Sequence, residues 1–76
     1  MKTVQFYFER LPKFTDQIKW RQGVERNIKD EVTSDFLAEW TVNADIDQFL
    51  TVVLPEKDVE NLHCIMNNAH GARQIR

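Results

Sequence analysis

Seventy-six residues and 9.0 kDa hold one hydrophobic core, since a chain of this length buries only about 60% of the surface its unfolded form exposes. With 42% hydrophobic and 29% charged residues, two glycines and two prolines, the composition excludes disordered, collagen-like and disulfide-scaffold classes. The longest apolar stretch, Phe49 to Leu54 interrupted by Thr51, is too short to span a bilayer; with no signal-peptide core after Met1-Lys2-Thr3 and a single cysteine, Cys64, the sequence reads as a cytoplasmic protein.

The net charge of −2 hides an asymmetry, because residues 1–29 carry seven basic groups against three acids, whereas residues 30–60 carry nine acids against Lys57 alone. Segregated charge of this kind can orient a partner; ordinary solvated faces are the plainer reading.

In chain order, Thr3 to Glu9 alternates, with Val4, Phe6 and Phe8 on one side and Gln5 and Tyr7 on the other, as a half-buried strand requires. Pro12 marks its exit. Thr15 is the expected N-cap of a helix, with Asp16 in the first turn, running to about Glu31. At 100° per residue Phe14, Ile18, Val24, Ile28 and Val32 share one arc with Trp20 at its border, and Gly23 lies opposite at an expected cost of about 1 kcal/mol relative to Ala.

Residues 36–54 admit two readings. As strands, Phe36, Ala38, Trp40 and Val42 alternate with Leu37, Glu39 and Thr41, Asn43-Ala44-Asp45 supplies a turn, and Gln48 to Leu54 contains the β-branched run Thr51-Val52-Val53. As a helix, Ile46, Phe49, Leu50, Val53 and Leu54 form an apolar stripe and the protein is mostly α. The β-branched run ending at Leu54-Pro55 favours the hairpin. Pro55 then takes the first position of a second helix whose core arc is Val59, Leu62, Ile65, Met66 and Ala69. Gly71 supplies a left-handed cap, and residues 72–76 leave room for a short final strand.

The order β-α-β-β-α, with a possible last β, resembles ferredoxin-like domains over the whole chain: α+β, a split βαβ with two helices on one face of an antiparallel sheet. The dipeptides Leu11-Pro12 and Leu54-Pro55 mark the two strand-to-helix junctions. That fold hosts many activities and selects none.

Catalytic and metal chemistry find little support. His63 and His70 are seven apart, about 10.5 Å along a helix, and Cys64 diverges from His63 by about 100°, which suits neither a metal site nor a nucleophile–base pair. The loop Arg10-Leu11-Pro12-Lys13-Phe14 has no glycine to cradle phosphate, unlike the first loop of the acylphosphatases, whose element order is similar. The expectation is therefore a non-enzymatic protein without cofactor.

Two binding readings follow. Tyr7, Leu37, Phe49 and Val53 fall on the sheet face away from the helices, more apolar than a small monomer leaves in water, and imply a protein partner or homodimer. A patch of Asp30, Glu31, Asp35, Asp45 and Asp47 is a second candidate contact, and the compact acidic chain looks like the small inhibitors carried by phages and mobile elements. The alternative is nucleic acid, bound by a basic first helix (Lys13, Lys19, Arg21, Arg26, Lys29 with Trp20) and by Tyr7 and Phe49. RNA-recognition domains of the same fold use aromatics on their central strands in this way.

Overall fold

A computed structural model describes residues 1–8, 16–32, 34–43 and 47–75. Strand β1 (Lys2–Phe8) leads to helix α1 (Gln17–Glu31). The hairpin β2 (Leu37–Asn43) and β3 (Asp47–Leu54) follows, then a 3-10 turn (Glu56–Asp58), helix α2 (Val59–His70) and the short β4 (Arg73–Gln74). The strands form one antiparallel sheet in the order β2-β3-β1-β4, which is the ferredoxin-like split βαβ arrangement. Leu37–Asn43 and Asp47–Leu54 are paired strands, so the mostly α alternative is wrong: three β-branched residues in a row lose less in a sheet than against a helical turn.

Strand register sets the two faces of the sheet. Val4, Phe6 and Phe8 of β1 and Leu50, Val52 and Leu54 of β3 are buried with Val24, Ile28 and Val32 from the first helix, Leu62 and Met66 from the second, and Ala72. All six strand residues share one side of the pleat, so both helices cover that side.

The N-cap of α1 is Asp16, not Thr15: its carboxylate accepts the Lys19 N–H at 3.2 Å, and its carbonyl accepts the Trp20 N–H at 2.9 Å. Thr15, Phe14, Lys13 and Pro12 lie outside the described residues, as do Glu9, Asn43's neighbours Ala44, Asp45 and Ile46, and Arg76. Ile18 is 69% exposed. Burial follows the i, i+4 row Trp20, Val24, Ile28 and Val32, and Ile18 stands about 120° from Val24 around the axis. The helix runs unbroken through Gly23, which is exposed.

Pro55 is extended (φ −61°, ψ 143°) and precedes the 3-10 turn instead of opening the helix, which starts at Val59. Gly71 adopts the left-handed conformation expected of it (φ 62°, ψ 20°), and its N–H and that of Ala72 both reach the Met66 carbonyl. That turn buries Ala72, while Ala69, expected on the core arc, is exposed.

Candidate interaction site on the open sheet face

The odd-numbered residues of the strands lie on the side away from the helices. Pairing aligns them in rows across the sheet: Leu37, Val53 and Thr3; then Glu39, Thr51 and Gln5; then Thr41, Phe49, Tyr7 and Arg73. Each row is a set of directly opposed cross-strand neighbours, which are close enough for side chains to interact.

The third row is aromatic and cationic. Tyr7 and Phe49, half-buried on the two central strands, meet with ring centroids 5.3 Å apart at a tilt of 41°. The Arg73 guanidinium carbon lies 5.5 Å from the Tyr7 ring centroid, within cation–π range. In the middle row Gln5 Nε2 donates to Thr51 Oγ1 at 3.2 Å. The first row is apolar: Leu37 is 70% exposed, and a shallow hollow of about 180 Å³ beside it is lined by Leu37, Ala38, Glu39, Thr51 and Val53. The four residues expected on this face, Tyr7, Leu37, Phe49 and Val53, all lie on it, but as two pairs separated by the polar middle row, with Arg73 and Thr41 joining the aromatic pair.

The acidic candidates do not form one patch. Asp30 and Glu31 end α1, and Asp35 shortly precedes β2; all three are exposed. Asp47 begins β3 opposite Asn43, at the far end of the hairpin. Seven residues of strand at about 3.3 Å each put roughly 20 Å between the two ends. Asp45 lies outside the described residues.

The first helix divides its cations. Lys19, Arg26 and Lys29 are exposed on its outer side. Arg21 turns inward, donating from Nε to Gln48 Oε1 at 2.9 Å, with its guanidinium carbon 5.6 Å from the Trp40 ring centroid. Trp20 packs edge-on to Phe8 at 5.0 Å and 89°, and lies 5.2 Å from Trp40, so its ring belongs to an aromatic cluster beneath the helix. Gln48, fully buried, also donates to Gln17 Oε1 at 3.1 Å and so docks the start of α1 on β3.

His63 Nδ1 lies 3.0 Å from Gln74 Oε1 and donates to it, tying α2 to β4. His70 is half-buried, accepts from Asn27 Nδ2 at 3.4 Å, and lies 6.5 Å from the Phe8 ring; burial lowers its pKa from the ordinary 6.5. Cys64 is exposed. Among the described residues no group of three or more His, Cys, Asp or Glu converges as metal ligands would, and no helix is long and apolar enough to cross a membrane.

Comparisons with models of protein families, with characterised proteins and with solved structures find no match to this chain.

Proposed function

We propose that the protein is a small non-enzymatic binding module, an adaptor, subunit or inhibitor, that engages a protein partner through its open sheet face. The observation that carries this reading is the apolar end of that face: Leu37, 70% exposed, beside Val53 and the hollow they share, with Phe49 and Tyr7 two rows away beyond the polar row Glu39, Thr51 and Gln5. An exposed apolar pair bordered by the polar row Glu39, Thr51 and Gln5, with an aromatic pair on the far side of that row, has the mixed apolar and polar makeup of a protein interface. The dispersed acids support the acidic-patch version less well, because Asp47 stands apart from Asp30, Glu31 and Asp35.

Charge placed on the face tests this. Leu37→Glu and Leu37→Lys, at an exposed edge-strand position, should leave thermal unfolding nearly unchanged, since surface substitutions usually stay within about 0.5 kcal/mol, yet abolish recovery of the partner that wild type retains. Equal recovery with both variants would overturn the reading.

A second reading, single-stranded nucleic acid on the same face, is favoured by Tyr7 and Phe49 lying directly opposed on the central strands with Arg73 beside them. It requires salt-sensitive retention of a single-stranded oligonucleotide that Phe49→Ala weakens, and no retention at low salt would dismiss it.

A further inference from the structure

Strand β2 forms one edge of the sheet, and among the described residues nothing pairs with its outer side. Natural edge strands are usually shielded by a proline, charged side chains (lysine above all), a bulge, short length or a covering element. The sequence Leu37-Ala38-Glu39-Trp40-Thr41-Val42-Asn43 has no proline or lysine and a single charge, Glu39, is seven residues long, and pairs residue for residue with β3 without a bulge.

Which backbone groups face outward follows from the ladder. Ile75 N–H donates to the Gln5 carbonyl, so the odd-numbered residues of β1 hydrogen-bond toward β4 and the even ones toward β3. The even residues of β3 are then used by β1, and the odd ones by β2. By the same alternation Leu37, Glu39 and Thr41 bond to β3, whereas Ala38, Trp40 and Val42 present their N–H and C=O groups to the outside.

We infer that this edge pairs with the β2 edge of a second copy of the chain, antiparallel about a two-fold axis at Trp40, so that two sheets join into one. The strand is self-complementary in that register. Trp40 stands opposite the second copy's Trp40, and Ala38 opposite the second copy's Val42. These are the residues with outward backbone groups, so each pair exchanges two hydrogen bonds. Glu39 falls opposite the second copy's Thr41, and Leu37 opposite Asn43, so no like charges meet. Sliding the strands to centre on Glu39 would bring two carboxylates face to face and shorten the ladder. This edge pairing is separate from the open-face reading and stands or falls without it.

The test combines sedimentation equilibrium, from micromolar to millimolar chain, with amide exchange. A dimer is expected in which the Ala38, Trp40 and Val42 amides become protected as concentration rises, while those of Leu37, Glu39 and Thr41 are protected throughout. Thr41→Glu should weaken association about tenfold, because two like-charge cross-strand pairs are created. Adding Glu39→Lys to it should restore association, a rescue that a misfolded variant would not give. A chain that stays monomeric at millimolar concentration overturns the inference. So does a dimer whose edge amides exchange as in the monomer, and a dimer of that kind whose Tyr7 and Phe49 signals shift would instead support the open-face reading.

Discussion

At the scale of single residues, the two glycines make opposite predictions. A Cβ at Gly23 would meet nothing within 4 Å on an exposed helix position, so Gly23→Ala should stabilise the protein by about 0.5–1 kcal/mol in denaturant unfolding. A Cβ at Gly71 also has space, but its φ of 62° is unfavourable for a side chain, so Gly71→Ala should cost about 1–2 kcal/mol. His70 predicts a pH dependence with a definite sign. Burial lowers its folded pKa below 6.5, so the unfolded chain takes up a proton first, and stability falls as pH drops through 6.5 toward the folded value. His70→Gln should flatten that limb of the stability profile; an unchanged slope would contradict the assignment. Residue-level reading succeeded at Gly71, where the need for positive φ is written in the residue type. It failed at Gln48, since nothing in the polarity of a glutamine announces that it will be buried, with Arg21 and Gln17 reaching it from the first helix.

At the scale of elements, docking of the first helix depends on that glutamine. Gln48→Ala leaves the half-buried Arg21 without its acceptor and should cost about 1–3 kcal/mol, a loss that thermal unfolding would register. The other end of the helix is electrostatically unfavourable, because Asp30 and Glu31 sit in the last turn with Lys29 as the one basic residue there. Asp30→Lys should therefore stabilise by about 0.3–1 kcal/mol at low salt and by less at high salt. The strands were legible because alternation in β1 and the Thr51-Val52-Val53 run in β3 state both element type and buried face. Helix α1 was legible in existence but not in orientation. Its apolar residues fit a wide arc, and only packing against Phe8 and Trp40 selects Trp20 for the inside and leaves Ile18 in water.

At the scale of the whole molecule, neighbours in sequence and neighbours in space part company. Asp30, Glu31 and Asp35 are close in the chain to Asp47, yet the length of β2 carries Asp47 to the opposite end of the sheet. Conversely Arg73, far from Tyr7 in sequence, reaches its ring because the split βαβ topology brings the last strand beside the first. The open face itself could be anticipated, since two amphipathic helices cover one side of a four-stranded sheet and leave the other to water or to a partner. Site-specific photocrosslinking in the native cell measures that most directly, with the reactive group placed in turn at Leu37 on the open face and at Ile18 on the outer side of the first helix. A discrete protein adduct at Leu37 with none at Ile18 is the predicted result; no adduct at Leu37, or adducts of equal yield at both positions, would contradict it.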